Sequence, residues 1–357
     1  MGRKGVRKML NAPPKRHRHY GPTKILRVRK AAVEVMDESE NDASSSSDFH
    51  GFDVPPDPRH PIINDRDLPK ARVLSMFDGI GAGRVVLRRL NIAVEKYWSL
   101  EIDENCIRVL RENHSDITHL GSVTDFQHGS VANAGRIDIL LGGSPCGEIS
   151  LANPFGKGLD DPTGQSYLFY DYVRVRNQLK AAADAKGQRF FWLFENTSHL
   201  KKEVQATMSK ELGCEPFQVC ASRFSATKRK RLFWSNIPVI YDSLEPQGRK
   251  ISLQEYLGLV RVAQVPLAKT ITTNRAGQKS SSGKLPVTYE GKEEYLFARD
   301  IELLLGFPAG YTDYGGMSNS TRTALLGRSW SVDVVMAILS PLKDFFRREH
   351  QGRGLQL

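Results

Sequence analysis

A chain of 357 residues, 40% apolar and 25% charged, is long enough for one large domain with appendages and needs no disulfide-stapled scaffold. No run approaches the roughly 18–20 uninterrupted apolar residues of a bilayer-spanning helix, and the basic start lacks the apolar stretch of a secretory signal, so an intracellular protein with no membrane partner is expected. Cys106, Cys146, Cys214 and Cys220 form no C-x-x-C pair, which leaves no disulfide framework and no expected metal.

The net charge of +11 is localised, because residues 1–30 carry eleven Lys or Arg and no acid. With Pro13-Pro14 and few apolar residues, this segment reads as a disordered basic arm for nuclear import or phosphate contact. Residues 31–60 form an acidic, serine-rich linker containing DESENDASSSSD. Residues 61–350 are the folded domain, and 351–357 a tail.

From Ala71 onward, short apolar runs alternate with amphipathic segments, the pattern of βαβ units around a mostly parallel sheet flanked by helices. Strands are predicted at Val73–Phe77, Lys96–Leu100, Ile117–Leu120, Ile137–Leu141, Phe190–Phe194, Phe217–Ser222 and Leu232–Trp234. Helical periodicity fits Arg84–Leu90, Glu104–Asn113, Tyr167–Lys186 and Leu200–Leu212. Residues 245–300 break the alternation: a short helix fits Ile251–Leu259, and the polar ITTNRAGQKSSSGKLPV then marks a small recognition insertion. A helix at Ile301–Leu305 follows, and GRSWSVDVVMAILSPLKDFF closes the chain as an amphipathic helix with Ser331 as a cap.

Ligands of an open α/β sheet bind beyond the carboxyl ends of its strands. After the first strand comes Phe77-Asp78-Gly79-Ile80-Gly81-Ala82-Gly83, a glycine turn that lets backbone approach a ligand. Glu101 ends the second strand, where an acid accepts hydrogen bonds from a ribose, so dinucleotide and adenosyl ligands both suit the pair. The fourth strand ends in Gly142-Gly143-Ser144-Pro145-Cys146, which presents a thiol on a proline-fixed turn; the other three cysteines sit inside regular elements as small hydrophobes. Glu195 follows five apolar residues at the end of the fifth strand, so a partly desolvated acid suited to proton transfer is expected, with a helix-capping glutamate as the plainer alternative. Arg229 and Arg231 alternate before the seventh strand and are placed to face one side and clamp an anion or a polar base edge.

FDGIGAG, SLE, GGSPC, LFEN, KRKR before LFWSN, KTITT and LLGRSWSV, in this order, resemble the motifs of the DNA cytosine-5 methyltransferases from about Arg72 to Phe346. SPC, the short insert and GRSWSV resemble the animal de novo type in particular. The resemblance implies a Rossmann-like, S-adenosylmethionine-dependent methyltransferase fold with a target-recognition region at 245–300. It implies S-adenosyl-L-methionine as cofactor, double-stranded DNA as partner and a nuclear location. Phe77, Asp78, Gly79, Ile80, Gly81, Glu101, Ile102, Ser122, Val123, Arg328, Ser329 and Trp330 would line the cofactor site. Cys146 would attack C6 of a flipped cytosine, Glu195 would engage N3, and Arg229 and Arg231 would assist at the base. Lys269, Thr272, Thr273, Asn274 and Arg275 would meet the DNA. Asp313 and Arg322 match an acid and a base that pair across a family interface, which implies a homo-oligomer; an intrachain pair is the alternative.

Several positions depart from the pattern. Gly147 replaces the usual Asn after the nucleophile, which implies a more flexible catalytic loop. Ser122 stands where an acid usually meets the adenine amine, and Asn274 holds the slot of a guanine-reading arginine, with Arg275 next. Asn319 replaces a basic residue, and no cysteine-rich chromatin-reading module is present, so chromatin targeting falls to the arm, partners or DNA. A catalytically weak stimulatory or scaffold paralogue and a transfer-RNA enzyme are the alternatives; a nicotinamide dehydrogenase explains only the first βαβ unit.

Overall fold

The computed structural model describes residues 65–126, 135–239, 244 and 251–349; the basic arm, the acidic linker and the tail lie outside the described residues. Seven strands form one mixed sheet: β1 (Ala71–Met76), β2 (Val94–Leu100), β3 (Ile117–His119), β4 (Ile139–Gly142), β5 (Phe191–Thr197), β6 (Phe217–Cys220) and β7 (Lys230–Ser235). Their order is β3-β2-β1-β4-β5-β7-β6. The first five run parallel, and β7 is antiparallel to both β5 and β6. β4 is buried along its whole length, as befits a strand covered on both faces.

Strand alternation divides the core in two. Val73, Ile139, Leu141 and Leu193 pack on one face with α1 (Ala82–Arg89) and the carboxyl-terminal helices. Leu74, Met76, Leu140 and Phe194 pack on the other with α3 (Phe169–Asp184) and α4 (Lys202–Leu212). α2 (Glu104–Asn113) begins where Asp103 accepts hydrogen bonds from the amides of Asn105 and Cys106, and α4 ends at Gly213 with φ 73°. Because the chain leaves β1 toward β2 on one side and reaches β4 on the other, a crevice opens beyond the ends of β1 and β4.

All seven predicted strands and the first four helices are present, with the third preceded by a 3-10 turn at Gln165–Leu168. The helix expected at Ile251–Leu259 shrinks to a 3-10 turn at Leu253–Tyr256. It leads into an unforeseen antiparallel sheet of β8 (Arg261–Ala263), β9 (Val287–Tyr289) and β10 (Lys292–Glu294). α5 (Ala298–Leu304) takes the predicted place.

The closing segment is two helices, α6 (Asn319–Arg328) and α7 (Val332–Leu339), followed by a 3-10 turn at Ser340–Asp344. Extended backbone at Ser329 and Ser331 separates the helices, and Ser331 stands at the α7 cap without donating or accepting there. Asn319–Asp344 is apolar enough by hydropathy to cross a bilayer, but this stretch is mostly buried in the protein and broken as a core element is.

Candidate active site

The turn after β1 is built on left-handed backbone: Phe77 has φ 56°, Gly79 φ 58° and Gly81 φ 81°. A Cβ on Gly81 would come within 2.6 Å of Leu110, whereas one on Gly79 would meet nothing within 4 Å. The turn is therefore closed against α2 and open toward the crevice. Glu101 reaches across from β2, where Oε2 accepts from the Gly79 amide at 2.8 Å and Oε1 from the amides of Ile102 and Asp103, each at 2.9 Å. Ile102 stands beside it with 70% of its surface exposed, an apolar face at the mouth.

Beneath the turn Asp78 is buried, with Oδ1 accepting from Ser75 Oγ at 2.7 Å and Tyr97 OH at 2.9 Å. Burial pushes its carboxyl up to about 6, against the pull of those hydrogen bonds. Among the described residues its Oδ2 meets no hydrogen-bond partner by geometry. The Tyr311 hydroxyl donates to the Ile80 carbonyl at 2.8 Å and meets His114 Nε2 at 2.9 Å. Among these supports, Tyr97, His114 and Tyr311 were not legible as site residues because their contacts join parts distant in sequence, whereas Ser75 stands only three residues before Asp78.

Ser122 is engaged locally, its hydroxyl 2.8 Å from Thr124 Oγ1, and Val123 is buried. From the chain end, Arg328 pairs with Asp103 at 2.7 Å across the β2–α2 turn. Ser329 is buried behind it, and Trp330 points to the thiol side of the crevice, where Nε1 donates to Glu195.

Beyond β4, glycine is required sterically. A Cβ on Gly142 would enter the Tyr172 ring at 2.7 Å, and one on Gly143 would stand 3.0 Å from the Glu195 carbonyl and 3.1 Å from Oε2. Cys146 is half-buried on the turn that follows. Burial and then the Glu195 charge push its thiol up, opposed by Arg231 and Arg229. The loop after Gly147 is pinned rather than loose: Asn153 Nδ2 donates to the Gly147 carbonyl at 2.8 Å, the Gly158 amide to the Glu148 carbonyl at 3.1 Å, and the Ser166 amide to Glu148 Oε2 at 3.0 Å.

Glu195 does not have the apolar surroundings expected from the residues before it. Oε1 is ion-paired with Arg231 Nε at 2.9 Å, and Oε2 accepts from Trp330 Nε1 at 3.0 Å. The expectation that Arg229 and Arg231 act as a pair divides here. Arg229 is buried and donates to the carbonyls of Ile271 at 2.7 Å, Gly327 at 3.2 Å and Ser329 at 2.6 Å. It is a clasp joining the segment around Ile271 to the end of α6, and burial, then the Arg231 charge, pushes it down to about 9.

In the segment where the resemblance places the DNA contacts, Thr272, Thr273 and Asn274 are exposed. Asn274 Oδ1 caps the next turn by accepting from the Ala276 amide, and Arg275 stacks over Tyr295 at 4.7 Å. Lys269 Nζ donates to the Lys279 carbonyl at 2.7 Å. Gly327 lies so close to Thr272 that a Cβ there would fall 2.4 Å from its backbone.

Arg322 is occupied within the chain. It pairs with buried Glu302 at 3.0 Å and Asp313 at 3.0 Å, and donates to Thr312 Oγ1 at 3.0 Å. Asn319 accepts from the Ala298 amide at the start of α5. The Asp313–Arg322 pair is thus formed within the chain, the alternative given for it above.

Residues 71–212 match the family model described as C-5 cytosine-specific DNA methylase. The chain is similar to the DNA (cytosine-5)-methyltransferase DRM2 of Arabidopsis thaliana, 33% identical over 120 residues, covering 30% of this chain and 19% of that protein. It is also similar to the orphan methyltransferase M.Rho11sI of Bacillus phage rho11s, 31% identical over 135 residues, covering 37% of this chain and 24% of that one. The matched part thus spans about a fifth to a quarter of the length of these relatives. The fold is shared with the S. pombe Dnmt2 methyltransferase, TM-score 0.55 at 15% identity over 77% of this chain and 99% of that one. It is shared as well with the Entamoeba histolytica methyltransferase EhMeth, TM-score 0.59 at 14% identity over 77% and 98%. Over residues 71–212 the chain is thus similar to the C-5 cytosine-specific DNA methylases, within a fold shared with the two methyltransferases.

Proposed function

We propose that this protein is a nuclear DNA cytosine-5 methyltransferase of the de novo kind, acting on a cytosine flipped out of duplex DNA. The observation that carries the reading is one meeting point: the Cys146 thiol beyond β4 and the group of Glu195 on β5, Arg231 on β7 and Trp330, beside the open turn of Gly79 and Glu101. The de novo assignment rests on the GGSPC and GRSWSV motifs, since the relatives named above are plant and phage proteins.

The crevice suits S-adenosyl-L-methionine. Space stands open above Gly79, Glu101 presents a carboxylate held by backbone amides, and exposed Ile102 offers an apolar face for a flat base. When bound, the cofactor supplies an electrophilic methyl group. Phe77 to Gly81, Glu101, Ile102, Ser122 and Val123 would hold it, with Arg328, Ser329 and Trp330 closing the mouth.

The residues of the chain then perform the rest. The thiolate of Cys146 adds to C6 of the cytosine, while Glu195, steadied by Arg231 and Trp330, supplies a proton or hydrogen bond at N3. Electron density moves to C5, which takes the methyl group. Loss of the C5 proton and expulsion of the thiolate from C6 restore the aromatic ring and the free enzyme. Leu151 and Phe155, 57% and 93% exposed on the pinned loop beyond Cys146, give the site apolar surface for a duplex whose stack has been opened.

The test is methyl transfer from labelled S-adenosylmethionine to unmethylated duplexes with CG, CHG or CHH sites and to transfer RNA, comparing the parent protein with Cys146→Ala. Transfer to duplex DNA that vanishes in the variant supports the reading. Labelling of transfer RNA alone would move it to an RNA enzyme. Folded protein that binds the donor and labels nothing would leave a scaffold paralogue.

A further inference from the structure

The KRKR run alternates inward arginines with outward lysines, and the proposed mechanism uses only its Arg231. Arg229 turns inward to its three carbonyls and Arg231 inward to Glu195, so Lys228 and Lys230 stand exposed on the outer side. Lys201 and Lys202 are exposed at the start of α4. Thr197 of β5 pairs with Arg231, and Ser198 Oγ donates to the Lys230 carbonyl at 3.2 Å, which brings this corner beside β7. On the other side, the Lys228 amide donates to the Ala268 carbonyl at 2.8 Å, so the row continues to exposed Lys269 of the recognition segment.

Among the described residues none of Lys201, Lys202, Lys228 and Lys230 takes part in an ion pair, and Glu203 is the acid of the first α4 turn. Their placement does not serve the helix, because cations at a helix start oppose its dipole. Four exposed ammonium groups, of which Lys230 directly precedes the Arg231 that pairs with Glu195, form a local positive field that an extended polyanion would neutralise.

We infer that Lys201, Lys202, Lys228 and Lys230 form a rail that grips the phosphates of duplex DNA beside the target cytosine. The inference rests on the DNA reading above and adds a contact surface outside the recognition segment. Contacts of this kind position the duplex without reading its sequence.

The experiment is fluorescence anisotropy of the full chain with a labelled duplex of A·T pairs only, across a KCl series, so that target recognition does not enter. The parent is compared with Lys201→Gln/Lys202→Gln/Lys228→Gln/Lys230→Gln and with a control, Lys96→Gln/Lys186→Gln, whose lysines are exposed elsewhere. Circular dichroism confirms that each variant is folded. The salt slope of log K should become shallower by about 0.9 for each lysine that meets a phosphate, roughly 3.6 for all four. The control should follow the parent, and Lys228→Arg/Lys230→Arg should keep its slope. A rail variant with the parent's slope, while the parent binds and methylates duplex DNA, overturns the rail and leaves the DNA reading intact. A parent that neither binds nor methylates duplex DNA overturns both.

Discussion

Trp330→Phe isolates one hydrogen bond of the site. Phe keeps the aromatic bulk at the crevice mouth but lacks the N–H that meets Glu195 Oε2 at 3.0 Å, so the carboxylate is left held by Arg231 on Oε1 alone. A hydrogen bond to a charged group contributes about 1.5–3 kcal/mol. The Glu195 side chain is 13% exposed, so water partly replaces the lost donor and the lower end of that range applies. About 1.5 kcal/mol in the transition state is roughly a tenfold loss of the methyl-transfer rate. The assay is single-turnover transfer to a saturating duplex, with donor affinity and the urea midpoint measured alongside. The expected result is a slower chemical step with DNA affinity and stability within error of the parent. An unchanged rate would show that the indole N–H does not orient the carboxylate, and a rate loss matched by weaker donor binding would move Trp330 into cofactor closure alone.

Two further substitutions test the geometry. Gly143→Ala places a methyl group 3.0 Å from the Glu195 carbonyl and 3.3 Å from Trp330 Nε1, so both must retreat by a few tenths of an ångström; kcat should fall about threefold to tenfold with little change in DNA affinity, as read by steady-state kinetics. Arg322→Met leaves Glu302, fully buried, with only the neutral donors of Gly310 and Thr312, and should lower stability by about 3 kcal/mol in urea unfolding, with Asp313→Asn costing under about 0.5 kcal/mol. Equal effects of these last two on self-association, without the stability loss, would restore an interface between copies.

The legibility of the molecule follows the range of its interactions. The central strands read clearly because β1, β4 and β5 are buried on both faces and so appear as apolar runs, with the chemistry-bearing residues immediately after them. β8, β9 and β10 are three residues each, too short for a period-2 pattern to register. α6 escaped because its Ser- and Thr-rich start has weak helical periodicity, while the run beyond it looked like one continuous helix. The surroundings of Glu195 were illegible for another reason: five apolar neighbours precede it, but Trp330 arrives from 135 residues away and Arg231 from an antiparallel strand. Arg229 shows the same limit, since nothing local announces that its three partners are backbone carbonyls.

Cys146, the proposed nucleophile, and Glu195, the proposed acid, are electrostatically tied, and this coupling is measurable without substrate. Burial and the negative charge of Glu195 hold the Cys146 thiol up, whereas Arg231 and Arg229 pull it down. At rest, Arg231 is largely neutralised by its ion pair with Glu195. Once Glu195 carries a proton, as the proposed engagement of N3 requires, its repulsion of a thiolate disappears and the Arg231 charge is released toward the sulfur. Protonation of the acid would therefore favour ionisation of the nucleophile at the moment the base is in place. Glu195→Gln imitates that state permanently, so the pH at which Cys146 becomes half-reactive to iodoacetamide should move down. Arg231→Gln should move it up. Mass spectrometry of the Cys146 peptide separates the signal from Cys106, Cys214 and Cys220. Identical profiles in the parent and both variants would mean that the two groups do not sense each other, and activation of the thiol would then have to come from the bound base alone.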